Sequence, residues 1–173
     1  GGPVESVVVG EIDGRTDWTQ ALQGVEAVVH LAARVHVMRD TADGAALFHR
    51  TNTEGTLRLA DACAVSGVRR LVFVSTIKVN GEGTVERAFA PDDQPGLLAR
   101  RDLDIVVVRP PLVYGPGVKG NLARLCRLAA VGAPVPFGRI VNRRDLVGVD
   151  NLADLLATCV RHPAAAGNVF LAA

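Results

Sequence analysis

Cysteine is scarce and poorly placed for cross-linking. Cys63, Cys126 and Cys159 are odd in number and scattered, which excludes a disulfide framework. Each lies in an apolar, helix-like stretch, so all three read as core thiols in a reducing cytosol. An excess of charge is missing too. Lys and Arg number 19 against 18 Asp and Glu, a net charge of +1, which offers neither a nucleic-acid groove nor a polybasic membrane patch. No apolar run approaches the roughly 20 residues that cross a bilayer. The opening Gly1-Gly2-Pro3-Val4-Glu5 has the pattern of neither a signal peptide nor a transit peptide. Repeats and low-complexity tracts are also absent. The expectation is a cytoplasmic protein with no nucleic-acid or membrane partner.

What is present is material for one packed core. In 173 residues, 49% are hydrophobic and 21% charged, the balance of an ordinary globular α/β domain. Strand and helix signals alternate along the chain. Ser6-Val7-Val8-Val9 predicts a short strand ending at Gly10, and Ala27 to Leu31 predicts the next. Between them, Asp17 to Gln23 has the pattern of a short helix, with Thr16 or Asp17 as cap and Gly24 as stop. From about Thr41 to Ser66, Leu47, Thr51, Leu59, Ala60 and Cys63 recur at helical spacing, and Gly67 ends the helix. Arg70 to Val74 and Asp104 to Val108 are continuous apolar strands, as in a parallel sheet buried on both faces. Asn121 to Val131 predicts a helix and Asp145 to Val149 a short strand. Asp150 caps a last helix, Asn151 to Arg161, before a final strand from Asn168 to Leu171.

In a doubly wound sheet, ligands bind in the crevice beyond the carboxyl ends of the strands. Glu11, Ala32-Ala33, Ser75-Thr76 and Pro110-Pro111 all fall just past such ends and are expected to line one cleft. The small side chains of Ala32 and Ala33 allow a backbone to approach a flat ligand. Two neighbouring hydroxyls, Ser75 and Thr76, stand where a buried strand stops. Asn52 falls within a helix, where Asn costs a few tenths of a kcal/mol, roughly, against good helix formers.

Six segments in order resemble the extended short-chain dehydrogenase/reductase family, in its NAD-dependent nucleotide-sugar epimerase/dehydratase branch. They are Val9-Gly10-Glu11-Ile12, Val29-His30-Leu31-Ala32-Ala33, Asn52-Thr53-Glu54-Gly55-Thr56, Phe73-Val74-Ser75-Thr76, Val108 to Gly117 and Asn142 to Asp154. The nearest likeness is to UDP-glucose 4-epimerase-like enzymes and UDP-sugar 4-keto reductases of surface-polysaccharide synthesis. The resemblance implies an α/β, Rossmann-like doubly wound parallel sheet with a small, incomplete substrate-binding subdomain. It divides the chain into residues 1–118 of an NAD(P)-binding domain, 119–145 of the substrate subdomain, and 146–173 returning to the first domain. It implies a homodimer that binds NAD, or NADP, and a UDP-sugar.

Site residues follow from the same likeness. Glu11, Ile12, Leu31, Ala32, Ala33, Arg34, Asn52, Val74, Ser75, Pro110 and Val113 form the implied cofactor set. Glu11-Ile12 corresponds to the pair that holds the adenine amino group, and Asn52 to an organiser of the active site. Thr76 is the implied catalytic hydroxyl, bonding the reacting sugar oxygen, and Ser75 its neighbour beside the cofactor. Thr76, Lys78, Asn121, Leu122, Phe137 and Arg144 form the implied substrate set. Lys78 is a solvated loop residue and not the catalytic lysine. Asn121 opens a helix where the diphosphate would lie, Phe137 covers the uracil, and Arg144 is a planar fork for the diphosphate, with Arg143 and Arg139 near enough to assist.

Parts of the pattern are missing. The one Tyr is Tyr114, with Val118 four residues on, so the Tyr-x-x-x-Lys helix of the family is not found. The Gly-x-x-Gly-x-x-Gly turn does not occur either. Leu112 stands where several relatives carry a polar sugar-binding Asn. Gln94 to Leu103 is barely long enough for a crossover between parallel strands. The expectation is a longer enzyme incompletely represented by this sequence, with a shortened, inactive nucleotide-binding scaffold or sensor as the other reading. A flavonoid- or steroid-type reductase of the same superfamily is a third.

Overall fold

The computed structural model describes residues 4–34, 42–77, 102–117, 121–132 and 145–172. Four parallel strands form the main sheet: β1 (Ala27–His30), β2 (Arg70–Val74), β3 (Asp104–Arg109) and β6 (Val169–Leu171), in the order β1-β2-β3-β6. Two short strands, β4 (Leu112–Tyr114) and β5 (Leu146–Gly148), pair in parallel beside it. Helices α1 (Ala42–Phe48) and α2 (Gly55–Val65) are joined by a π-helical turn, His49–Glu54, and connect β1 to β2. Helix α3 (Asn121–Ala130) follows β4, and α4 (Val149–Arg161) follows β5.

Alternation along the central strands makes two cores. Leu71, Ile105 and Val107 face α2 and pack with Leu59, Ala60, Cys63 and Leu22. Val72, Val106 and Val108 face the other way and pack with Leu152, Cys159, Val147 and Ala165. Leu71, Val72, Val106 and Val108 are fully buried. Both sheet faces are therefore covered, which explains the unbroken apolar runs and confirms the expected α/β, Rossmann-like class.

Four local expectations change. Residues 4–10 form no strand: they run without a sheet partner among the described residues, and Val4 and Val8 are each 94% exposed. β-Branched residues fit a pleated surface but do not create one without a neighbouring strand. Residues 19–24 form turns in place of a helix. The Asp17 carboxylate makes the bond of a cap, accepting from the Thr19 amide (2.9 Å) and hydroxyl (2.6 Å), but so short a segment does not offset the cost of helix nucleation. Asp150 is not the cap of α4. Gly148 is the extended cap residue, and Asp150 lies inside the first turn, where its charge complements the helix dipole. Cys126 is exposed on α3, whereas Cys63 and Cys159 are buried; burial pushes the Cys63 thiol up to about 11.

The carboxyl end of α4 is closed by a buried arginine. Arg70 Nη1 donates to the carbonyls of Cys159 (3.0 Å), Val160 (3.3 Å) and His162 (2.6 Å), and Nη2 to Asp104 Oδ2 (3.2 Å). A cation there satisfies orphan carbonyls and meets the negative end of the dipole. Among the described residues, no helix is long and apolar enough to cross a membrane. Arg70→Met is expected to lower unfolding free energy by about 2–3 kcal/mol, read from the urea midpoint. Arg70→Lys, which keeps the charge but not the fork, should fall between.

Candidate functional site

Three adjacent parallel strands deliver three loops to one edge of the sheet. Leu31–Arg34 leaves β1, Ser75–Ile77 leaves β2, and Pro110-Pro111 leaves β3. The second and third loops are zipped together: the Ser75 amide donates to the Val108 carbonyl (2.8 Å) and the Ile77 amide to the Pro110 carbonyl (3.2 Å). Thr76 lies between these two bonds and is exposed, while Ser75 and Val74 are half-buried and Pro110 is buried. The backbone thus presents the Thr76 side of the segment to solvent at the carboxyl edge.

The first loop is held from the helix. Asn52 Oδ1 accepts from the Arg34 amide (2.7 Å), and Asn52 Nδ2 donates to the Arg34 carbonyl (3.0 Å). Asn52 sits in the π-helical turn, whose widened bond runs from the Gly55 amide to the Arg50 carbonyl. A π-turn breaks the regular helical ladder, and such turns are common at functional sites. Leu31, Ala32, Ala33 and Arg34 are all exposed, and Leu31 keeps 63% of its surface. The result is an accessible, low-profile shelf whose main chain is held in place.

Glu11-Ile12 reaches the same region through a strapped loop. Ile12 packs against Gly55 so tightly that a Cβ there would lie 2.7 Å from Ile12 Cγ2. Asp13 accepts from Arg50 Nε (3.1 Å) and Nη2, and its other oxygen accepts from the Arg15 amide (2.8 Å). These bonds hold the Asp13 carboxyl below its usual range, Arg50 contributing most. The buried Thr16 hydroxyl accepts from the Asp13 amide (2.8 Å) and lies 2.9 Å from the Glu11 carbonyl. Glu11 itself projects outward, its side chain 90% exposed.

Beneath the shelf, the buried His30 ring stacks on Phe73 (5.7 Å between centroids) and lies 3.0 Å from the Thr56 hydroxyl. It ties the ends of β1 and β2 to α2, and burial lowers its pKa.

Chemically, the groups at this edge could hold part of a dinucleotide. An outward carboxylate beside an aliphatic residue suits an exocyclic amino group, and a shelf with two alanines suits a flat ring. The glycine-rich turn that would cradle a pyrophosphate has no counterpart in this sequence. Val113 is half-buried against the core facing α4, and Leu122 is half-buried on α3, which Asn121 opens. Lys78, Phe137 and Arg144, with Arg139 and Arg143, lie outside the described residues. Arg50, Asp13 and Thr16 support the same edge without any motif to announce them, whereas Gly55, the seat of Ile12, falls within the Asn52–Thr56 segment.

Comparison with known proteins bears on the family and the fold. The model of the NAD dependent epimerase/dehydratase family matches residues 3–95 and 97–173. A UDP-glucose 4-epimerase of Vibrio cholerae is 46% identical over 184 residues, covering 94% of this chain and 56% of that protein. A dTDP-glucose 4,6-dehydratase of Streptomyces griseus is 34% identical over 154 residues, covering 76% of this chain and 46% of that protein. The solved structure of MoeE5 in complex with UDP-glucose and NAD superposes with a TM-score of 0.70 at 26% identity, covering 94% of this chain and 61% of MoeE5. The chain spans about half the length of these curated relatives.

Two outcomes test the local structure. Asn52→Ala is expected to speed hydrogen exchange at the Arg34 amide by about fivefold to tenfold, as one exposed bond worth ~1 kcal/mol is lost. For His30, the unfolded imidazole gains a proton near 6.5 while the buried one resists until lower pH. Stability should therefore be unaffected by this group above that value and decline as pH falls below it. His30→Gln should flatten the difference in thermal midpoint between pH 7.5 and 5.5.

Proposed function

Because the chain belongs to the NAD-dependent epimerase/dehydratase family, we propose that it is an NAD-dependent enzyme of nucleotide-sugar metabolism, a 4-epimerase or 4-keto reductase acting on a UDP-hexose. The observation that carries this reading is the zipping of Ser75–Ile77 to Val108–Pro110, which sets Thr76 at the strand edge beside the Leu31–Arg34 shelf. NAD, when bound, supplies a reversible hydride acceptor.

Glu11 and Ile12 would hold its adenine edge. Leu31 to Arg34, with Val74, Ser75, Pro110 and Val113, would line the path toward nicotinamide, and Asn52 keeps that path ordered. The Thr76 hydroxyl would bond the oxygen on the reacting sugar carbon and steady it as charge shifts. Ser75, its amide already committed to Val108, would fix Thr76 in place and face the cofactor. Residues 119–145 would form part of the substrate subdomain, with Lys78, Asn121, Leu122, Phe137 and Arg144 around the nucleotide. A homodimer in the cytoplasm is part of the proposal; Leu57 (40% exposed) and Val65 (89% exposed) on the outer face of α2 support helix pairing.

One observation favours a second reading, a nucleotide-binding scaffold of the same fold without turnover: the sequence has no Tyr-x-x-x-Lys pattern. Incubation of the full-length protein with NAD and UDP-glucose, followed by NMR of the sugar C4 configuration and of any reduced cofactor, separates the two. Turnover is expected. Thr76→Val should lower kcat by about 100-fold with little change in KM, the size of a lost oxyanion-type donor. Cofactor binding without turnover would favour the scaffold, and undiminished turnover in the variant would remove Thr76 from the mechanism.

A further inference from the structure

The π-helical turn grips two loops at once. Asn52 takes the Leu31–Arg34 loop by its main chain, and Arg50, two residues earlier, takes the Glu11–Thr16 loop through Asp13. Residues two apart on a helix face different directions, so one turn can reach loops on two sides. The Arg50 end is built as a closed circuit. Its guanidinium forks onto Asp13, whose side chain is only 13% exposed. Asp13 is bonded to Thr16 and Arg15, Thr16 to Glu11, and the Thr16 carbonyl accepts from Arg58 Nε (3.1 Å). Arg50 also stands 4.0 Å from Glu11 Oε2. Glu11 is free to rotate at its tip, but its backbone is not.

Taking the dinucleotide reading of the site as its premise, we propose that Arg50 is a positioning residue for purine selection: by clamping Asp13 it fixes the Glu11–Ile12 edge that accepts from an amino group at purine C6. The clamp has the right chemistry for the task. Arg50 Nε and Nη2 converge on Asp13 Oδ2 while the Arg15 amide holds Oδ1, so both oxygens of a largely buried carboxylate are committed and its rotation is restrained. Its effect is confined to the Glu11–Thr16 loop, because the Leu31–Arg34 loop has its own strap in Asn52.

The test compares NAD with nicotinamide hypoxanthine dinucleotide, which replaces the purine amino group by a carbonyl. Titration calorimetry on the full-length protein reads the ratio of the two dissociation constants. The parent should prefer NAD, and Arg50→Ala should weaken NAD about tenfold, the effect of one charge-assisted bond, while leaving the hypoxanthine analogue nearly unchanged. The preference then collapses toward one. Arg50→Lys should restore part of it. Added to Asp13→Asn, Arg50→Ala should cause little further loss of preference. Equal weakening of both dinucleotides, or of neither, overturns the role of Arg50, since a general structural defect does not read the purine. If Arg50→Ala does not fold, Arg50→Lys decides alone: a preference equal to the parent's or a uniform loss overturns the proposal, and a reduced preference supports it. A parent protein that binds neither dinucleotide overturns the reading of the site itself, and this proposal with it.

Discussion

The turn formed by His49 to Glu54 is the constraint on which the edge of the sheet depends. Its widened ladder, closed by the Gly55 amide on the Arg50 carbonyl, inserts one residue beyond a regular turn and offsets the helical faces before and after it by about 100°. α2 can then lay Leu59, Ala60 and Cys63 on the sheet while the preceding turn aims Asn52 and Arg50 at two loops. A regular helix through the same residues would place them on other bearings. The irregularity is maintained by what it holds: two main-chain bonds at Arg34, a forked ion pair at Asp13, and the close seat of Ile12 on Gly55.

The division of labour at the edge follows. Strands provide direction, since parallel neighbours must release their loops on the same side. Zipping of Ser75 and Ile77 to the chain leaving β3 then removes the freedom that a serine-threonine pair would have on an open loop. Ordering that is already present in the protein does not have to be paid for when a substrate arrives. The His30 ring, packed between Phe73 and Thr56, supplies the floor.

Much of this was legible in the sequence for physical reasons. Strands β2 and β3 are buried on both faces, so their apolar runs are continuous, and the segment after β2 could be recognised by two hydroxyls in succession. Residues that interact over long separations were not legible. Asp13 and Arg50 are 37 positions apart, and each alone looks like a solvated charge. Arg70 opens a strand and reads as a surface residue, yet it is buried. The π-turn left no mark, because a single inserted residue shifts hydrophobic spacing too little over so short a helix. Ser6 to Val9 misled in the other direction: its propensity for strand was plain, but propensity has no effect without a neighbour. Cys126 lies in an apolar stretch, but beyond Leu122 and Ala123 the rest of α3 is exposed, and composition alone does not tell which face meets a core.

The Arg70 clasp has a consequence for how the molecule is made. Its three carbonyl partners lie 89, 90 and 92 positions downstream, so during synthesis the guanidinium emerges from the ribosome long before those carbonyls exist. Strand β2 can meet β1 early, and β3 brings Asp104 to its first residue, but the guanidinium lacks its carbonyl partners until α4 has been translated and docked. Closure of so long a span is slow compared with local pairing. The nascent chain must pass through an interval in which one face of its sheet is uncovered, and the docking of α4 ends it.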